Sequence, residues 1–147
     1  MHKIISYKKM FEATPATTLA DLKVKYRNLI KEWHPDKFAD DEVKKAEADL
    51  KSQKIIEAYH CLVGIHPETH AANMEEYTKI TNSMFMDDFV HSGTTLKITF
   101  QEGIVYEYYG VPKNTYIKMV NSPTVGRFAK RHIFNSFPYR NISKSNV

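Results

Sequence analysis

The sequence predicts two small domains of different class: an all-α helical hairpin, then an α+β module that combines an antiparallel sheet with helices. Three observations predict this. Leu19, Leu22, Tyr26, Leu29, Ile30 and Trp33 recur at helical spacing and give one apolar stripe. A second, charged helical segment follows, ending in Glu57-Ala58-Tyr59. Near Ser83 the period changes to two, with Leu96, Ile98 and Phe100 alternating with Lys97, Thr99 and Gln101. The expected boundaries are 1–64 for the hairpin, 65–82 for a linker with helical spacing, 83–142 for the α+β module and 143–147 for a tail.

Composition permits this and excludes other classes. A chain of 147 residues that is 42% hydrophobic can build two small cores. No uninterrupted apolar run is long enough to cross a bilayer. The start, Met1 to Lys9, has too short an apolar core for a signal peptide. The only cysteine, Cys61, excludes an intramolecular disulfide framework and suits a buried structural thiol. The expectation is a cytosolic protein with no membrane partner.

Taken in order, Tyr7 to Phe11 reads as a short helix with Tyr7, Met10 and Phe11 on one side, and Thr14 to Thr18 as a loop. Thr18 is an N-cap, and Asp21 completes a carboxylate variant of the capping box. Lys23, Arg27 and Lys31 step along another face of the helix that follows, as a docking row or a solvated face. Pro35 cannot continue that helix and keeps His34 out of helical angles. His34, Pro35 and Asp36 therefore stand at the tip of the hairpin, as a docking loop or a plain helix-stop turn. Asp40, Asp41 and Glu42 suit the start of the next helix, expected from Asp41 to about Val63 with Gly64 as its stop. Ala48, Ile55, Tyr59 and Leu62 form its expected inner face.

In the linker, His66-Pro67 suggests a helix start, and Met74, Tyr77 and Ile80 keep helical spacing. His66 and His70 are four apart and could share a metal, but no further ligand cluster accompanies them. Solvent-exposed histidines and no metal are the preferred reading. Beyond it, Met84 to Val90 is a candidate strand with Ser92-Gly93 as its turn, and Glu102-Gly103 a turn between Phe100 and Ile104. Lys113 to Asn121 reads as a helix. Ser122-Pro123 reads as an N-cap and first position for another helix, which buries Val125, Phe128, Ala129 and Ile133.

The net charge is +4, and its placement matters more than its size. After Glu107 there is no acidic residue, while Lys113, Lys118, Arg127, Lys130, Arg131, Arg140 and Lys144 are basic. Such a run suggests an anionic partner or a solvated surface. Arg127, Lys130 and Arg131 could hold phosphates while Tyr109, with Tyr106 and Tyr108, stacks bases; Tyr106 and Tyr108 fit a core equally. No nucleophile motif, phosphate-cradling glycine loop or recognisable carboxylate pair is present. Neither an enzymatic activity nor a cofactor is expected.

Residues from about Ile5 to Gly64 resemble a J domain, the module of DnaJ-type co-chaperones. The resemblance rests on Tyr7, Phe11, Leu22, Tyr26-Arg27-Asn28-Leu29, Trp33-His34-Pro35-Asp36-Lys37 and Ile55-Ile56-Glu57-Ala58-Tyr59-His60-Cys61-Leu62. It implies that His34, Pro35 and Asp36, supported by Lys23, Arg27 and Lys37, engage a DnaK-type ATPase chaperone and stimulate ATP hydrolysis. Three positions depart from the family pattern: Glu12 replaces the usual glycine after the first helix, Phe38 follows Lys37, and Ser52 stands where a large apolar residue is usual.

Residues from about Met84 to Ile142 resemble the KTSC domain, named for its occurrence at the C-terminus of some lysyl-tRNA synthetases. Leu96, Ile98, Phe100, Gly103, Tyr106, Tyr108, Val111-Pro112, Tyr116, Ser122-Pro123, Gly126-Arg127-Phe128, Arg131-His132-Ile133 and Tyr139 carry it. Ala129 and Lys130 replace a common aromatic-asparagine pair. The two resemblances together imply a co-chaperone whose C-terminal module is for targeting or client binding. The alternative is an RNA-binding protein that uses the basic C-terminal domain, with the J domain as a docking unit.

Overall fold

A computed structural model describes residues 2–83 and 85–143; the strand start expected at Met84 and the tail residues from 144 lie outside them. The chain divides into two compact units, His2–Glu68 and Thr69 onward.

The first unit is helical. α1 (His2–Phe11) begins earlier than the spacing of Tyr7 and Phe11 suggests, because Ile4 joins them on the buried side. It ends in a Schellman turn, with Glu12 N–H donating to Lys9 O (3.2 Å) and Ala13 N–H to Lys8 O (2.9 Å). That turn puts Glu12 at φ 53°, where glycine is preferred. α2 (Leu19–Trp33) starts on a complete capping box: Thr18 Oγ1 accepts from Asp21 N–H (3.1 Å), and Asp21 Oδ2 accepts from Thr18 N–H (3.0 Å). Those bonds, first the one from the Thr18 backbone, hold the Asp21 carboxyl below its ordinary 3.8.

α3 (Glu42–Ile65) is capped by Asp41, whose Oδ1 accepts from Val43 and Lys44 N–H. Gly64 does not stop it; the glycine is buried inside the last turn. The stop is Pro67, which holds His66 at φ −68°, ψ 140°. α2 and α3 pack around Tyr59, whose ring stacks on Tyr26 (4.1 Å between centroids) and faces Phe11 (6.3 Å). Ile4, Leu22, Ile55, Ala58 and Leu62 complete the core, and the thiol of Cys61 is buried.

The segment expected as a linker is helix α4 (Pro67–Ser83), which belongs from Thr69 onward to the second unit. That unit is α+β. Strands β1 (Met86–Ser92), β2 (Thr95–Phe100), β3 (Val105–Tyr109) and β4 (Tyr139–Asn141) form one antiparallel sheet in sequence order. Gly93 (φ 62°) opens the β1–β2 turn, and Glu102 (φ 62°) with Gly103 (φ 74°) makes the β2–β3 turn. Helices α5 (Lys113–Asn121) and α6 (Val125–His132) lie between β3 and β4. α6 starts two residues later than Ser122-Pro123 suggests, because Ser122 Oγ binds Thr124 N–H (3.3 Å) in a local turn.

Leu96, Ile98, Phe100, Tyr106 and Tyr108 point from the sheet into a core closed by Tyr77, Met119, Ala129, Ile133, Phe134 and Tyr139. Its polar atoms are satisfied internally: Tyr77 OH donates to Phe134 O (2.5 Å) and so accepts from Tyr108 OH (3.1 Å). Burial pushes Tyr106 and Tyr139 up to about 12, and raises Tyr77 and Tyr108 as well.

Two outcomes are expected. Glu12→Gly removes the strained φ but adds freedom to the unfolded chain, for a net gain of roughly 0.5–1 kcal/mol in urea unfolding of the helical unit. The Lys25–Glu12 ion pair that it sacrifices (3.2 Å) is exposed and contributes little. The raised tyrosine values mean that the folded state keeps protons that the unfolded state loses. The sheet unit therefore keeps its stability below about pH 10 and loses it between about 10 and about 12, seen as a cooperative rise in phenolate absorbance.

Candidate docking site

His34 is held by proline geometry (φ −62°, ψ 130°), so α2 ends there and a short 3-10 turn, Pro35–Phe38, begins. The His34 ring caps that turn: Nδ1 accepts from Asp36 N–H (3.2 Å), which leaves the hydrogen on Nε2. The Asp36 carboxylate lies 3.5 Å from the same Nδ1. Both side chains are open to solvent, His34 at 51% and Asp36 at 88%.

The corner is fixed from α3. Ser52 Oγ donates to Trp33 O (2.8 Å), the carbonyl just before His34, and Lys51 Nζ lies 5.7 Å from the Trp33 ring centre. The serine that departs from an apolar pattern is thus a hydrogen-bonded pin rather than a thinned contact. Lys23, Arg27, Lys31 and Lys37 are exposed, and among the described residues none is ion-paired. Lys25, off that row, is the lysine of α2 that pairs internally, with Glu12.

The chain builds this corner twice. His66-Pro67-Glu68 repeats the histidine, the proline and the acid, and His66 Nδ1 accepts from Glu68 N–H (3.0 Å). There, however, the free atoms are used. His66 Nε2 donates to Thr17 O (2.7 Å), and Glu68 Oε2 accepts from Leu19 N–H (2.9 Å), clamping the start of α2. The His66 side chain is only 14% exposed. His70 Nε2 bonds to Tyr139 O (2.8 Å), with its ring stacked on Tyr139 at 3.9 Å. The expectation of solvent-exposed histidines is therefore corrected: both rings are structural, each tied to a backbone carbonyl. The repeated His-Pro-acid spelling was the signal in the sequence that pointed to it.

In the sheet unit, Arg127, Lys130 and Arg131 are exposed on α6, opposite its buried Ala129. Tyr109 does not join them. Its ring is 1% exposed and its hydroxyl donates to Glu107 Oε1 (2.8 Å), so it stacks on no base. Alternation missed this, since it left Tyr109 on the face opposite Tyr108 without showing that this position is covered too. Arg140 also leaves the free basic set, because its Nη2 lies 3.6 Å from Glu107 Oε1.

Residues 86–137 match the KTSC domain family, so the second unit carries a KTSC domain. The match covers β1 to α6 and stops short of β4, and α4 lies outside it. No curated protein matches the chain.

The two corners make opposite predictions. His66→Ala should cost roughly 1–3 kcal/mol in urea unfolding, because it strands Thr17 O and Glu68 N–H in a partly buried setting. His34→Ala loses only an exposed cap and should cost under about 1 kcal/mol. Similar losses for both variants would show that the outer corner is also structural.

Proposed function

We propose that the chain is a J-domain co-chaperone. Residues 1–64 would recruit a DnaK-type ATPase chaperone and stimulate its ATP hydrolysis, with the KTSC domain as a targeting or client-binding module. One observation carries this reading. The chain places the same His-Pro-acid corner in two settings, and only at His34-Pro35-Asp36 do the imidazole Nε2 and the carboxylate face solvent. Polar groups presented on a rigid corner, with no internal task for their free atoms, are what a docking site offers. The unpaired row Lys23, Arg27 and Lys31 lies on the helix leading to that corner. Such a row steers an acidic partner and raises the association rate. Asp36 would meet a cation or donor on the partner, and its loss would leave that group unpaired. The Ser52 pin holds the corner ready, which lowers the ordering cost of docking.

The test is single-turnover ATP hydrolysis by a DnaK-type chaperone with the full chain. Wild type should accelerate the reaction, and His34→Gln or Asp36→Asn should abolish the acceleration while unfolding at the wild-type urea concentration. Joint Lys23→Ala and Arg27→Ala replacement should raise the half-saturating concentration about tenfold, an effect that shrinks as salt is added. Equal stimulation by wild type and His34→Gln would remove the reading.

A further inference from the structure

α5 and α6 carry Lys113, Lys118, Arg127, Lys130 and Arg131 on their exposed surfaces, with no acidic residue from Tyr108 to the end of the chain. Among the described residues, none of the five makes an ion pair or a side-chain hydrogen bond, whereas Arg140, the remaining described cation of this stretch, is engaged with Glu107. Helix stability explains only part of the set. Lys118, Lys130 and Arg131 lie in last turns, where the macrodipole favours cations. Lys113 is the first residue of α5 and Arg127 the third of α6, in first turns that hold no acid and where the macrodipole opposes a cation. Those two charges are placed against the local field and have no internal partner.

The surface is also fixed. Ala129 of α6 is buried, and Val125 and Phe128 pack on the core of the sheet unit. Arg127, Lys130 and Arg131 share one stripe about 6 Å long, from four residues at 1.5 Å rise each. His132, exposed on the last turn, sets its ring 4.6 Å from that of Phe128 and offers a planar group at the end of the stripe.

We propose that this face of the KTSC domain binds the phosphodiester backbone of a nucleic acid. A polyanion of regularly spaced phosphates fits a fixed, one-sign stripe with no acid among its cations. A membrane surface fits α6 less well, because the apolar side of that helix is already spent on the core. The proposal does not depend on the co-chaperone reading.

The experiment is fluorescence anisotropy of labelled uridine and thymidine homopolymers with the full chain, from about 50 to 200 mM salt. Binding is expected, with a slope of log affinity against log salt near −2 for about three phosphates. Joint Arg127→Gln, Lys130→Gln and Arg131→Gln replacement should weaken it at least tenfold and flatten the slope, whereas Arg127→Lys with Arg131→Lys should retain it. The two polymers distinguish RNA from DNA as the source of the phosphates. His34→Gln should bind like wild type, so this test stands apart from the ATPase assay. No binding to either polymer at low salt, unchanged affinity in the glutamine variant, or binding only to phosphatidylserine vesicles would each overturn the proposal.

Discussion

The residue before a proline cannot take helical angles, and the helical unit depends on this constraint twice. At His34 and again at His66 it ends one helix, opens the next, and turns a histidine ring back to accept an amide hydrogen. The turn is set by local sterics, so it forms whatever surrounds it. What differs is the environment. At the inner corner the loop before α2 supplies a carbonyl and an amide, and the motif becomes a clamp. At the outer corner the same atoms meet only water. One local rule thus yields a structural joint and a presented surface, and burial decides which.

Charges in both units follow the same sorting. Lysines and arginines with an internal task are few and identifiable: Lys25 with Glu12, Lys51 over Trp33 and Arg140 with Glu107. The rest gather on the exposed face of α2 and on α5 and α6. Keeping opposite charges out of these two faces costs little in stability, because exposed ion pairs contribute little to it. It leaves both faces with a net field able to act on partners.

Much of the fold was legible because period and stop signals are local. The stripe of α2, its capping box, the alternation of β2 and β3 and the Glu102-Gly103 turn all follow from residues a few positions apart. What the sequence hid were features set by distant partners. Gly64 looks like a stop, yet it is packed inside α3 while Pro67 ends the helix. Three residues, Tyr139 to Asn141, are too few to show a period, so β4 exists only through its pairing with β3. The partner of Ser52 is a carbonyl 19 residues away, and the cover over Tyr109 is equally non-local. Of the candidate residues, the exposed corner and the basic rows were readable as chemistry, and the role of Tyr109 was not.

The aromatic core of the sheet unit reaches beyond the stretch that its family match delimits. Tyr77 from α4 and Tyr139 from β4 stack on each other at 4.2 Å, and Tyr77 holds the hydroxyl of Tyr108 and the carbonyl of Phe134. A fragment trimmed to residues 86–137 would lose both rings and leave buried oxygens without partners. The smallest autonomous piece of this molecule is therefore set by where its tyrosines close ranks, and it begins within α4 and ends past Asn141.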